Sequence, residues 1–575
     1  MQSVWQVKSH LKPDTKNRLQ AIIDALLKNR GLSSKQDQEV FFQKAKLEDI
    51  SIEKLAIPKT QITKVLKRLE KALKNKEKIV IYGDYDADGI TATAIMWETL
   101  HALGFKVMPF LPHREEQGYG LKPDGIDAVI KQLGKPDLLM TVDNGIVAFE
   151  GVQHANKLGI DVIITDHHEA HHTSHKYPEN KVKTKATYPD ALAVIHSIQT
   201  AGAGVSFLLA KKIWQHFKGQ KPNFLENLLE LATIGIIADI IPLLGINRQI
   251  VSLGLKLLAK TSRPGLKALM TEAQIDLNAD LNTYHVGFII APRLNATGRL
   301  EHSLNSLRLL CTKDQGKAIR LALDLGSINK TRQGLTKQSL DNALKLFTDK
   351  EHLEKLLITD STTYNPGVIG LIAGKLTEQF HRPAIVMATL DGVAKGSVRS
   401  VPGVDIIALL REFEEEFLEL GGHPMAAGFS LETDKIATVS HKLQARAEEI
   451  IDGKLLVPTL EADLELDFND LSFDLYHDLE KFAPFGLANS RPVFITRNVQ
   501  VESLRPVGQQ AKHLKLTLHQ QSLNSNIDAI YFSAGDWLSN LQQGDTTDIA
   551  YQLDLNTWNG NQSLQLIIKD IKKVD

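Results

Sequence analysis

Three aspartates at alternate positions, Asp84, Asp86 and Asp88, stand in Ile81-Tyr82-Gly83-Asp84-Tyr85-Asp86-Ala87-Asp88-Gly89. In an extended chain side chains alternate, so the three carboxylates project from one side. At that spacing they repel one another strongly unless a cation sits among them. An acidic loop capping the helix beyond Gly89 would use aspartate too, so this loop alone leaves both readings open. More acids follow. Thr141-Val142-Asp143-Asn144-Gly145 places one just past an apolar run, and Thr165-Asp166-His167-His168 repeats the arrangement. Asp239 is a lone charge in Ile237-Ala238-Asp239-Ile240-Ile241-Pro242. A buried unpaired carboxylate is costly, so Asp239 is expected to coordinate something. Together these segments supply carboxylate oxygens and imidazole nitrogens, a donor mixture suited to Mn2+ or Mg2+. The single cysteine, Cys311, excludes an internal disulfide and a zinc site built from several thiolates.

Strand ends would bring such a cluster together. Lys78–Tyr82, Lys106–Leu111, Leu138–Val142, Asp161–Thr165 and Ala191–Ile195 read as strands separated by helices, Ile90–Leu103 among them. Alternation of this kind implies an α/β fold with a parallel sheet covered on both faces. Ligands of open parallel sheets sit outside the carboxyl ends of the strands, where the acidic segments can converge. We place this domain at residues 76–300, mostly helical from 202 to 265, after a Lys-rich helical N-terminal extension, 1–75. A helical connector follows at 301–350. A second α/β unit, 351–456, has strands Leu356–Thr359 and Ala384–Ala388 around a helix Gly367–Phe380. From 457 to 575 short strands between polar turns suit a small β-barrel.

The bulk numbers restrict the partners. At 575 residues the chain needs several cores, and 43% hydrophobic with 23% charged residues is a globular balance. The formal net charge of −1 points to no polyanion, so any nucleic-acid surface must be local. Residues 1–14 lack the apolar core of a signal peptide and no apolar run is long enough to span a membrane, so the cytoplasm is expected.

Gly83–Gly89, Val142–Gly145, Asp166–His168 and Ala238–Leu243, in that order, resemble the motifs of the Asp-His-His (DHH) phosphoesterases, and their surroundings resemble the RecJ branch. Arg293–Arg299, Gly396–Ser400, Gly421–Gly428 and Lys481–Phe494 extend the likeness over nearly the whole chain from about residue 45. The resemblance implies metal ligands at Asp86, Asp88, Asp143, His167 and Asp239, with Asp84 and His168 assisting catalysis. It implies two Mn2+ or Mg2+ ions, roughly 3.5–4 Å apart in such sites. It makes the second α/β unit a DHH-associated domain that holds substrate through Ser397, Arg399 and His423, with Arg114, Arg293, Asn295 and Arg299 lining the cleft. Glycines at Gly396–Ser400 and Gly421–Gly428 would let backbone approach a phosphate. The C-terminal barrel resembles an oligonucleotide-binding (OB) fold, with Lys512, His513, Lys515, Tyr531 and Trp558 as candidate contacts.

The activity so implied is hydrolysis of single-stranded DNA from its 5′ end to 5′-mononucleotides, in repair and recombination. A single-strand-binding protein and a RecQ-type helicase are the implied partners. Two alternatives remain: a phosphoesterase for short oligonucleotides or cyclic dinucleotides, and a replication scaffold that has lost its acids. The barrel argues against the first and the complete acid set against the second. The sequence also departs from the family. Its Glu169–Pro189 loop is rich in His and Lys, His196-Ser197 stands where relatives usually have Asn-Pro, Tyr364-Asn365-Pro366 replaces a Trp-containing segment, and Ile246 replaces an acid.

Overall fold

The apolar runs that precede the acids form one five-stranded sheet in this computed structural model. The structure describes residues 3–574 except 13–15, 114–116, 119, 174–184, 220–221, 278, 349, 351, 521–525 and 559. The strands are all parallel, in the spatial order Lys106–Phe110, Lys78–Tyr82, Leu138–Val142, Asp161–Asp166, Ala193–His196. Alternate residues feed two separate cores. Ile79, Ile81, Met140 and Ile163 pack on one side, and Val80, Tyr82, Leu139 and Ile164 on the other with Ile126, Val129 and Val152. Burial on both faces is why these strands read as continuous apolar runs. The strand order reverses direction between Lys78–Tyr82 and Leu138–Val142, so the crevice for a ligand opens at their carboxyl ends.

Two compact units divide the chain: Gln43–Arg332 with Pro484–Asn489, and Met1–Phe42 with Gln333–Ala483 and Ser490–Asp575. The first holds the parallel sheet, fastened at its start by buried Arg68, which pairs with Glu77 and Asp161, each at 2.6 Å. Helices Gly202–Lys218, Pro222–Ala238, Gly245–Leu258 and Pro264–Glu272 complete this unit's larger core. The helix Gln315–Lys345 carries the chain from the first unit into the second at Arg332–Gln333.

The second unit contains a mixed sheet in the order Glu419–His423, Ala426–Glu432, Val393–Arg399, Ala384–Leu390, Leu357–Ser361. It also contains a closed barrel. Strands Phe494–Val507, His513–His519, Ile527–Tyr531, Asn561–Lys573 and Thr546–Trp558 pair in turn, and Phe494–Val507 pairs again with Thr546–Trp558. Closure leaves these strands no free edge among themselves. Thr459–Glu465 extends the sheet, and Val4–Ser9 adds to it in parallel. The N-terminal extension therefore opens on a strand where only helix was expected. Its pairing partner lies more than 400 residues away in sequence, which no local pattern reveals.

Candidate metal centre and phosphate contacts

The first acidic segment is not extended throughout. Asp84 follows strand Lys78–Tyr82, but the helix begins at Ala87 and runs to Ala102, so Asp88 lies in its first turn. This corrects the expected one-sided row and the expected helix start at Ile90. Asp86 is the N-cap, its Oδ1 accepting from Gly89 N at 2.9 Å. Asp88 turns to a second helix N-terminus, where its carboxylate accepts from Gly202 N at 2.6 Å and Ala203 N at 2.9 Å.

Asp143 follows Leu138–Val142 with φ +63°, a left-handed backbone that aspartate tolerates and that concentrates at functional sites. Asp166 ends the next strand and organises the turn after it. Its Oδ1 accepts from His167 N (2.7 Å), His168 N (3.1 Å) and His168 Nδ1 (2.8 Å), and its Oδ2 from Ile146 N (2.8 Å). Asp239 follows helix Pro222–Ala238. These positions bring His167 Nε2 within 3.1 Å of Asp143 Oδ1, 3.6 Å of Asp239 Oδ2 and 3.7 Å of Asp88 Oδ2. Ligand atoms of Asp84, Asp86 and Asp143 form one set within 4.8 Å, and those of Asp88, His167 and Asp239 another. Asp143, His167 and His168 form a third set, so Asp143 and His167 are each shared between sets.

The cluster fits a divalent cation. Burial raises the Asp84 and Asp143 carboxyls well above the usual range, and neighbouring aspartates add to the effect. Asp239 is pushed up to about 8 by burial and then by Asp88 and Asp86. Asp84 Oδ1 and Asp143 Oδ1 are buried and accept no hydrogen bond from the described residues. Close-set, desolvated oxygens without donors are what a hard cation satisfies. Asp166 differs: burial raises it, but the His168 and backbone hydrogen bonds prevail and hold it below the usual value. Burial lowers His167 and keeps it neutral, as a ligand must be. Burial also lowers His168, but the Asp166 hydrogen bond and charge prevail and hold it at about 9.

Sequence reasoning missed the residues that make room. A Cβ on Gly202 would stand 2.4 Å from Asp143 Oδ1, and one on Gly235 would stand 2.4 Å from Asp88 Oδ1. The small-residue run Ala201-Gly202-Ala203-Gly204 was the visible signal. Asp166 was named only as part of a motif, yet it holds the turn.

The expected substrate residues are placed unevenly. Arg114 lies outside the described residues. Arg293 is held by its neighbours, with Nε 2.7 Å from Glu272 Oε2 and Nη1 3.0 Å from Ile289 O. Its own helical turn and an acid compete for the guanidinium. Asn295 Oδ1 accepts from Ala87 N at 2.6 Å and so braces the loop carrying Asp86. Arg299 is half-buried in the last turn of Ala291–Leu300. Ser397 and Arg399 share strand Val393–Arg399, with Arg399 Nη1 2.8 Å from Val398 O and 3.4 Å from Ser397 Oγ. The first turn of helix Ile369–Phe380 adjoins them, since a Cβ on Gly370 would stand 3.0 Å from Ser397 Oγ. Gly396 makes room for the Phe429 ring, whose nearest atom would stand 2.2 Å from a Cβ there. His423 is exposed at the end of its strand. In the barrel Lys515 pairs with Asp528 at 2.8 Å, while Trp558 is 73% exposed.

Three family models match the chain: the DHH family, N-terminal domain, over residues 78–236; the DHHA1 domain over 353–449; and the RecJ OB domain over 462–570. Single-stranded-DNA-specific exonuclease RecJ of Haemophilus influenzae is 32% identical over 541 residues, covering 89% of this chain and 91% of that protein. The Escherichia coli RecJ is 33% identical, with 89% and 90% covered. The Bacillus subtilis RecJ is 35% identical over 88% of this chain, which spans only 62% of that longer relative. The crystal structure of RecJ in complex with Mn2+ from Thermus thermophilus superposes with a TM-score of 0.79 at 28% identity, covering 100% of this chain and 80% of that one. A complex of the same protein with Mg2+ has also been solved, and it superposes with a TM-score of 0.73.

Proposed function

Since the chain belongs to the RecJ family of DHH phosphoesterases, we propose that it hydrolyses single-stranded DNA from the 5′ end to 5′-mononucleotides at a two-metal centre. The observation that carries this reading is two ligand sets, Asp84, Asp86 and Asp143 on one hand and Asp88, His167 and Asp239 on the other, linked by a third that contains both Asp143 and His167. Asp84, Asp86 and Asp143 would hold one Mn2+ or Mg2+, and Asp88, His167 and Asp239 the other. Ions so held lower the pKa of a bound water and neutralise charge on the phosphorus oxygens. Asp88 is oriented by two helix N–H groups, Gly202 N and Ala203 N. His168, with Nδ1 donating to Asp166, is left with Nε2–H as a donor to the scissile phosphate.

Residues 76–300 perform the chemistry in this reading, 351–456 hold substrate, 457–575 bind the strand and 301–350 connect them, behind the extension 1–75. Arg399, Ser397 and His423 receive phosphates, with Arg114 and Arg299, while Asn295 and Arg293 support the loop and helix beside the acids. Repair and recombination in the cytoplasm, beside a single-strand-binding protein and a RecQ-type helicase, is the setting this activity fits. Among the described residues no helix is long and apolar enough to cross a membrane. The test is chelator-stripped protein given Mn2+ and either a single strand or the same sequence as a blunt duplex. Cleavage confined to the single strand and restored by Mn2+ supports the reading. Equal cleavage of both, or activity without metal, overturns it.

A further inference from the structure

His168 is the last residue of the catalytic turn, and residues 169–192 separate it from the next strand, Ala193–His196. Its amide and ring are held by Asp166. Its carbonyl oxygen lies 2.7 Å from His196 Nε2. Only a donor can bond a carbonyl, so His196 Nε2 carries a hydrogen. His196 ends the neighbouring strand in register with Asp166, and Ser197 N donates to Asp166 O at 3.2 Å. The ring thus reaches across from a rigid strand end, with Tyr188 5.9 Å away on its flank.

We propose that His196 is a positioning residue: its Nε2–H fastens the His168 carbonyl and so sets the direction of the His168 imidazole. This rests on the reading of His168 as the phosphate donor. It goes beyond that reading, because His196 belongs to none of the ligand sets. Without the bond, the His168 carbonyl loses its tie to the end of strand Ala193–His196. His167 keeps its place, because its amide is held by Asp166 and its ring lies among three carboxylates. Catalysis should therefore suffer and metal binding should not.

The test uses the full chain with His196→Leu, which keeps bulk without a donor, and His196→Gln, whose Nε2 donates from about the same reach. Each is measured for kcat and KM on a short single strand, and for Mn2+ binding by calorimetry. His196→Leu should lower kcat at least tenfold and up to about a hundredfold, the scale of a reacting group misplaced by about 1 Å, with KM and Mn2+ affinity within about twofold of wild type. His196→Gln should recover most of kcat. Unchanged kcat in His196→Leu, a glutamine variant as slow as the leucine one, or a parallel loss of Mn2+ affinity would each overturn the proposal. Cleavage by the wild type on the same strand is read first, so failure of the nuclease reading shows separately.

Discussion

Asp143 illustrates how much one residue carries: it takes a left-handed backbone, belongs to two ligand sets and presents a buried oxygen that accepts no hydrogen bond from the described residues. Asp88→Ala and Asp143→Ala should each abolish measurable turnover while the protein stays folded, because uncatalysed phosphodiester cleavage is too slow to register. Circular dichroism and single-strand digestion check this together, and near-wild-type activity in either variant would remove that residue from the metal centre. Arg399 carries a second prediction. A terminal 5′ phosphate bears more charge than an internal one, and a guanidinium can meet it with paired hydrogen bonds. Arg399→Ala should slow 5′-phosphorylated strands more than 5′-hydroxyl strands, and Arg399→Lys should restore only part. Initial rates on both substrates decide it, and an equal slowing would make Arg399 a general strand contact. At this scale residue identity was legible and residue partnership was not. The aspartates and histidines stood out by type and spacing, but nothing local told that Arg293 would be taken by Glu272 or that Gly202 must lack a Cβ.

Elements were legible where their period was long and repeated. The five apolar runs became five parallel strands because alternate residues serve two cores, a constraint that writes itself along each strand. The start of helix Ala87–Ala102 was misplaced because Asp86, Asp88 and Gly89 look like a loop when their caps are unseen. The reason Gly396 must lack a Cβ was also hidden, because its partner Phe429 lies on the neighbouring strand. Helix packing also leaves a titratable group away from the metals. Glu230, on Pro222–Ala238, is 3% exposed and accepts from Thr261 Oγ1 at 2.5 Å. Burial pushes its carboxyl up to about 7 against the Thr261 hydrogen bond and Arg263. A raised carboxyl means the fold prefers the proton. Its contribution to stability is whole below the unfolded pKa, about 4.3, and is lost as pH rises towards 7. The loss reaches up to about 4 kcal/mol by that shift. Glu230→Gln should flatten this dependence, so its melting temperature relative to wild type should rise from pH 5 to pH 8. A constant difference across that range would show that Glu230 does not titrate there.

Across the whole molecule, the family likeness carried the order of the domains, and the structure added the closure of the barrel sheet. The union of Val4–Ser9 with Thr459–Glu465 could not be read ahead, because neither strand is explicable alone. Trp5 Nε1 donates to Asp570 at 2.8 Å and its ring lies under Lys572, so the N-terminal strand is pinned to the barrel by its side chains as well. Removing residues from 457 onward should spare turnover on short strands and weaken binding of long ones. Stacking contributes on the order of 1–3 kcal/mol per base, and each neutralised phosphate adds about 0.7 to the salt slope. Affinity for a long oligonucleotide at several salt concentrations tests this, and equal affinities with equal slopes would deny the barrel its role. The central claim, that shared carboxylates serve an enzyme consuming single strands from the 5′ end, is tested most directly by a product ladder. One strand, labelled at its 5′ end or its 3′ end, is digested with Mn2+ and sampled at early times. The account predicts that the 5′ label appears at once as mononucleotide while the 3′ label stays on a shortening series, and that Asp143→Ala yields neither. Release of the 3′ label first, or internal fragments from either label, would contradict it.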